Sequence, residues 1–506
     1  MDPARVTAVY GEVSGLPAPV SAHVREEEQL SELRTYTVTA EWSQSDLVRG
    51  SRIRYSQQWT LITDSNDHKS IRTVLPPGPC VPVSGEVLSG ISPIQGLRAV
   101  VRETSGHQLL EDRSVYCEDW GESLTNKSVP VICVVNLLSG AVSVLQGVPR
   151  DVSPGQLDLC SRRTSTLLDV VNTPQTGFSD LPDYGSWKLL TVQKDLMVVC
   201  CSSPNTPPTL RVGFLPSAGE AVTWQTLQQP FMTFDFHWTV LDVTPPPEED
   251  NTHYSGLDFG AILVKPSGSS NEAKTPLVVS IHGGPHSQFP AEWNCTTAGL
   301  AKLGFAVLMV NYRGSTGFGQ DSILSLIGRI GSQDVKDVQT AVRTALQGDI
   351  GLDPDRLAVI GGSHGGFLSC HLVGQYPEFY RACAARNPVI NAATLLGTSD
   401  IVDWRYTSVG IQYSYDQIPT AEALAAMLEK SPITHAAQIK APVLLMLGAR
   451  DRRVSPHQGL ELYKALKSRA SPVRLLWFPE DGHSLSRVDT QADCFLNTVL
   501  WLHQHL

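Results

Sequence analysis

Hydrophobic and polar positions obey two different rules along this chain. Between about residues 35 and 238, short runs rich in β-branched and aromatic residues are broken by Pro, Gly, Ser and Asn, and helical periodicity is scarce. Arg98-Ala99-Val100-Val101-Arg102 and Trp187-Lys188-Leu189-Leu190-Thr191-Val192 are examples, as is Thr209-Leu210-Arg211-Val212-Gly213-Phe214-Leu215. Asn136-Leu137-Leu138-Ser139-Gly140-Ala141-Val142-Ser143-Val144-Leu145 turns and starts again. Strand, turn, strand is the pattern of propeller blades or sandwich hairpins, so it predicts an all-β region without deciding between them.

Past Thr244-Pro245-Pro246-Pro247-Glu248-Glu249-Asp250 the pattern changes. Strand-like apolar runs at residues 257–264, 277–281, 306–310, 357–360, 382–385, 443–447 and 473–478 alternate with helical patterns. The helical stretches are 334–346, 367–375, 421–428, 456–466 and 488–503. Alternating strands and helices with fully apolar strands predict a doubly wound, mostly parallel sheet. The resulting division is an N-terminal extension 1–34, a β domain 35–243, a stiff Pro-rich linker 244–254 and an α/β domain 255–506. Residues 26–33 read as a short helix that either domain could own.

Bulk properties narrow the class further. At 506 residues the chain exceeds a single core, so two or more domains are expected. A formal net charge of -11 argues against a nucleic acid or an anionic membrane surface as partner. No charged leader with an apolar core opens the sequence, and no apolar stretch reaches the roughly 18 residues a membrane span needs. The ten cysteines are scattered, without a Cys-x-x-Cys pair, so free thiols and a cytoplasmic location are expected.

Candidate chemistry centres on Gly361-Gly362-Ser363-His364-Gly365-Gly366, which contains Gly-x-Ser-x-Gly. An apolar strand precedes it and a helical pattern follows. A turn this tight crowds any Cβ two residues either side of the serine, and Gly361 and Gly365 remove that clash, leaving Ser363 exposed as a nucleophile. Such a serine needs an acid and a base after it in the chain, each leaving a strand. Asp451 ends the run 443–447 and its short loop, and His483 lies just past 473–478. His483 would accept the Ser363 proton, and Asp451 would hold the imidazole in the right tautomer. Each also has an ordinary reading: Asp451 paired with Arg452 or Arg453, His483 in a surface loop.

The oxyanion hole calls for the backbone N–H of His364 and a second from an earlier loop. His282-Gly283-Gly284-Pro285-His286 is that loop, with Gly284 the first choice and Gly283 the second. No metal is expected at His282 and His286, because helical spacing and a carboxylate cluster are both missing. No cofactor is expected either. Tyr312 either lines the site or is a packed aromatic anchored by its hydroxyl. Arg386 either binds a substrate carbonyl or carboxylate, or forms a structural ion pair.

Together with Asn311-Tyr312-Arg313-Gly314-Ser315-Thr316-Gly317-Phe318-Gly319 and Asp451-Arg452-Arg453-Val454, the two glycine-rich strings resemble the prolyl oligopeptidase family, and within it the acylaminoacyl-peptidases. The resemblance covers nearly all of residues 185–506 and recurs at 116–156, including Glu118-Asp119-Trp120-Gly121-Glu122. It implies a β-propeller over an α/β-hydrolase domain, and a serine exopeptidase releasing an N-acylamino acid from short N-acylated peptides. It implies Ser363, Asp451 and His483 as the triad, Gly284 and the His364 amide at the oxyanion, and Arg386 at the acyl-residue carbonyl. It also implies a homo-oligomer. One departure is large. Seven blades of about 40–50 residues each do not fit between residues 35 and 243, and family-like sequence breaks near 111–112 and 156–157. A shortened, incomplete propeller predicts wider access or exposed strand edges. It keeps open a general esterase, or a catalytically silent assembly partner.

Overall fold

The computed structural model describes residues 1–26, 33–64, 71–83, 93–94, 97–100, 122, 133–136, 142–144, 185–215, 222–228, 232, 234–267, 274–414 and 416–506. Its largest element is an eight-stranded sheet. The strands, numbered in chain order, are β1 Phe236–Val243, β2 Phe259–Pro266, β3 Thr275–Ile281, β4 Ala306–Asn311, β5 Leu352–Gly362, β6 Ala382–Arg386, β7 Val443–Gly448 and β8 Val473–Phe478. Their order is β1-β2-β4-β3-β5-β6-β7-β8. β1 and β2 run antiparallel to their neighbours and the remaining pairs are parallel. This is the α/β-hydrolase arrangement.

Central strands of this sheet are apolar on both faces because both faces are covered. In β4, Ala306, Leu308 and Val310 enter one core, while Val307 and Met309 enter the other. In β7, Val443 and Leu445 face the first and Leu444 and Met446 the second. The principal helices are α1 Pro3–Ser14, α2 Cys295–Lys302, α3 Gln333–Gly348, α4 His364–Gln375, α5 His457–Lys467 and α6 Val488–His505. Residues of α3, α4 and α5 pack into the first core, and those of α1, α2 and α6 into the second.

Three expectations about boundaries change. β1 belongs to the large sheet although it precedes the prolines, pairing from Phe236↔Pro266 to Val243↔Phe259. The Pro-rich segment is not a free spacer. Asn251 is buried and donates from Nδ2 to Ser325 O (3.0 Å) and Gln333 Oε1 (2.9 Å), docking the segment on the α/β domain. The short helix expected at 26–33 is contradicted at both ends, with residues 27–32 outside the described set. Glu26 ends the strand Ala18–Glu26, Leu33 starts Leu33–Asp46, and the antiparallel pairing runs out to Glu26↔Tyr36. A helix forms instead at α1, capped by Asp2, whose side chain accepts from Ala4 N, with Pro3 opening the first turn. Val6, Val9, Tyr10 and Val13 make its buried stripe, and Tyr10 stacks on Phe495 of α6 at 4.8 Å.

The N-terminal region contains three antiparallel sheets among the described residues. The first is built on the long hairpin Leu33–Asp46 and Ser51–Asp64; the last is the meander Ser186–Gln193, Leu196–Ser203, Thr206–Phe214 and Gln225–Gln228. Between them lies a small sheet of Pro93–Ile94, Leu97–Val100, Cys133–Asn136 and Val142–Val144. The first and last share one core, where Tyr36, Val38, Trp42, Trp59 and Leu61 meet Leu196, Val198, Leu210 and Val212. The expected family-like stretch at 116–156 falls almost wholly outside the described residues.

Candidate active site

Ser363 stands between β5 and α4 with φ 56° and ψ −121°, a left-handed conformation costly for a residue with a Cβ. The elbow is enforced by contact. A Cβ on Gly361 would lie 2.3 Å from Gly365 O, and one on Gly365 would lie 2.1 Å from Ile281 O. Neither position tolerates any other residue, so the strained serine is held by backbone against backbone. Ser363 N–H donates to Arg386 O at 2.9 Å, tying the elbow to the end of β6. The hydroxyl holds no hydrogen bond within the described residues.

Asp451 and His483 come together from the loops after β7 and β8. His483 Nδ1–H donates to Asp451 Oδ2 at 2.7 Å, which leaves Nε2 as the basic nitrogen. Asp451 Oδ1 accepts from the N–H groups of Arg453 (2.9 Å) and Val454 (2.8 Å). The alternative partner, Arg453, pairs instead with Asp400 at 3.3 Å. Burial raises the Asp451 carboxyl above its ordinary range, the His483 hydrogen bond draws it back, and the nearby Glu122 charge raises it again.

Opposite this couple lies the glycine loop after β3. A Cβ on Gly283 would sit 3.3 Å from Ser363 Cβ and 3.9 Å from His364 N, so the loop and the first amide of α4 converge beside the serine. Gly283 is the residue whose Cβ position faces the serine, and Gly284 follows it with φ 121°. The His364 side chain points elsewhere, its Nε2 meeting the buried Asp334 carboxylate at 2.9 Å. Only its backbone is available to an oxyanion.

Tyr312 requires a correction as a substrate contact. It is fully buried, its hydroxyl donates to His282 O and Pro285 O (both 3.3 Å), and its ring stacks on His282 at 4.5 Å. Its packed-aromatic reading is the one that holds, and it supports the glycine loop from below. His282 is itself buried, donating from Nδ1 to Gly283 O (2.7 Å) with Nε2 against Ser315 Oγ (2.8 Å), and burial lowers its pKa to about 4. Arg386 is exposed at the end of β6 and holds no ion pair among the described residues. Its NH2 lies 3.7 Å from the Cβ position of Gly362, beside the elbow. Among the described residues no cluster of three or more His, Cys, Asp or Glu could hold a metal.

Three supporting residues were not singled out from sequence. Asn387, at φ 39°, donates to His483 O (2.8 Å) and accepts from Gly448 N (2.9 Å), joining β6, β7 and the histidine loop. Asp400 pairs with Arg453 of the acid loop. Glu122 reaches both triad loops from the N-terminal region. Asn387 directly follows Arg386, and Glu122 ends the family-like string 118–122, which were the available signals; nothing local marks Asp400.

A strained serine at a strand–helix elbow, an aspartate-held histidine and a convergent amide loop define a serine hydrolase of the α/β-hydrolase class. Comparison with known proteins takes this further. Residues 291–506 match the prolyl oligopeptidase family, and residues 106–165 match the N-terminal domain of acylamino-acid-releasing enzyme. The acylamino-acid-releasing enzyme of Homo sapiens is 35% identical over 726 aligned positions, covering 100% of this chain and 99% of its own length. That of Mus musculus is 42% identical over 528 positions, covering 78% of this chain and 72% of its own. Pyrococcus horikoshii acylaminoacyl peptidase shares the fold, with a TM-score of 0.60 at 13% identity over 98% of this chain and 97% of its own. The chain belongs to the acylamino-acid-releasing enzymes of the prolyl oligopeptidase family, and is a serine peptidase. Because 506 residues span nearly the whole human relative, the missing length is internal.

Proposed function

We propose that this chain hydrolyses short N-acylated peptides and releases an N-acylamino acid, with Ser363 as nucleophile, His483 as base and Asp451 as its orienting acid. Ser363 Oγ attacks the scissile carbonyl carbon as its proton passes to His483 Nε2. The oxyanion takes the His364 N–H and one from the Gly283–Gly284 loop. His483 then protonates the departing amine, and water, deprotonated by the same ring, hydrolyses the acyl-enzyme.

The observation that carries the substrate class is Arg386. A guanidinium beside the elbow, with no ion pair among the described residues, suits a neutral acyl carbonyl as acceptor. A free peptide amino terminus would bring a second cation to the same place, so blocked ends are favoured by repulsion of the alternative. The names of the human and mouse relatives support the same substrate class.

Incubation with an N-acetylated tripeptide and its free-amine counterpart tests this. Release of the acetylamino acid from the first alone is expected. Turnover of a small activated ester without peptide cleavage would establish the general esterase instead, a reading kept open by a β region too short for seven blades. A folded protein inert to a fluorophosphonate would establish the silent assembly partner.

A further inference from the structure

Glu122 lies between the strands Leu97–Val100 and Cys133–Asn136 in the chain, yet its side chain is seated in the α/β domain. Oε2 accepts from Arg452 N at 2.7 Å, the residue after Asp451, and Oε1 accepts from the N–H of His483 itself. Its own N–H donates to Asp400 Oδ2 at 2.8 Å, and Asp400 in turn pairs with Arg453. One carboxylate therefore joins the acid loop to the base loop, and one backbone amide anchors it. The fit is close: the three nearest atoms to a Cβ placed on Gly482 all belong to the Glu122 carboxyl group, the first at 2.1 Å. Gly482 is thus the vacancy into which Glu122 fits.

We propose that Glu122 is a positioning residue that clamps the Asp451 and His483 loops in register, so that the N-terminal β region sets the geometry of the catalytic base. This rests on the assignment of Asp451 and His483 to Ser363. Two acceptor oxygens are needed for two N–H donors, and a carboxylate supplies both. An amide of the same shape supplies one acceptor and turns an NH2 toward the other donor. The side chain touches backbone of the triad loops, so its loss acts through the placement of His483.

The test is Glu122→Gln in the full chain, read by N-acetylated tripeptide hydrolysis, by the rate of fluorophosphonate labelling at Ser363 and by thermal melting. A fall in kcat of about 10–100-fold is expected, with KM within about twofold, a matching fall in labelling rate and an unchanged melt. Gly482→Ala displaces the same carboxylate from the opposite side and should show the same phenotype. The Glu122→Gln, Gly482→Ala double variant should be no slower than either alone. Should Glu122→Gln not fold, Gly482→Ala alone reads the clamp. Wild-type kcat in Glu122→Gln, additive losses in the double variant, or a KM effect without a kcat effect would each overturn the proposal. A wild-type chain inert to the fluorophosphonate would sink the serine assignment and the clamp with it, whereas an active wild type indistinguishable from Glu122→Gln sinks the clamp alone.

Discussion

The α/β sheet and the N-terminal β sheets bury their strands differently, and the difference decides where chemistry can sit. β4 and β7 are buried along their whole length, with alternate residues sent into two cores. Leu33–Asp46 buries only every second residue, Tyr36, Val38, Ala40 and Trp42, and leaves its other face half-open. A strand packed on both sides cannot slide or tilt, so the loops at its carboxyl end are placed to within fractions of an ångström. A sheet covered on one face holds its own loops less tightly. The serine and the acid leave β5 and β7, which are buried toward their carboxyl ends, whereas the base leaves the half-open edge strand β8. The N-terminal region reaches the site by direct contact, through Glu122.

The sharpest break of this comparison is at the elbow. Ser363→Ala should remove turnover and fluorophosphonate labelling, a loss of roughly 10⁴–10⁶-fold in kcat, with the melt unchanged. Labelling that persists would move the nucleophile elsewhere. Next come the two cores. Leu444→Ala, inside the doubly covered sheet, should cost about 3–5 kcal/mol, and Leu210→Ala, between the first and last β sheets, about 2–3 kcal/mol because its surroundings can close in. Denaturation followed by tryptophan fluorescence separates them; equal losses would mean that both regions are equally rigid. Arg386→Ala should lower kcat/KM on the acetylated tripeptide by about 10–100-fold, in line with one charge-assisted hydrogen bond, while sparing a small ester. An equal loss on both substrates would give Arg386 a structural role.

Acid should weaken the α/β region in a defined window. Burial lowers His282 to about 4 and His371 to about 3, the latter helped by nearby His435. His371 Nδ1 accepts from Gln375 and its Nε2–H donates to Lys430 O, so the neutral ring is the one that fits. Both values lie below the unfolded value near 6.5, so the unfolded chain binds the extra protons first. Their contribution to stability is then full above about pH 6.5 and falls steadily as the pH drops toward 4. A melting temperature flat from pH 6.5 to 4.5 would contradict this. The smallest effect belongs to Asp2→Ala, which removes the cap of α1 and should cost about 1 kcal/mol, read as a shift of the melt.

Much of the site was legible because its parts are local. Gly361 and Gly365 announce an elbow from five residues, since the backbone clash they relieve lies within the turn itself or against the adjoining strand. Asp451 and His483 follow apolar strands whose ends set their height in the sheet. The parts that were not legible depend on distant partners. Phe236–Val243 reads like the β runs before it, and only its pairing with Phe259–Pro266 assigns it to the large sheet. Pro3–Ser14 has a weak helical signal, with Val, Thr and Gly inside it, and is held by α2 and α6. Tyr312 is polar enough at one end to line a site, and its burial under His282 removes that role.

By itself the sequence determined two patterning regimes, a parallel sheet with apolar strands, and the order serine, aspartate, histidine on loops at its strand ends. These follow from short-range rules: side-chain period, turn sterics and the run of residues into a loop. Tertiary structure alone decided that Asp451 takes His483 and leaves Arg453 to Asp400, that Asn387 ties the histidine loop to two strands, and that Glu122 bridges both loops. Hydrogen bonds have a reach of about 3 Å and no memory of chain separation. Which carboxylate meets which donor is therefore settled by the packing of the sheet that brings them together.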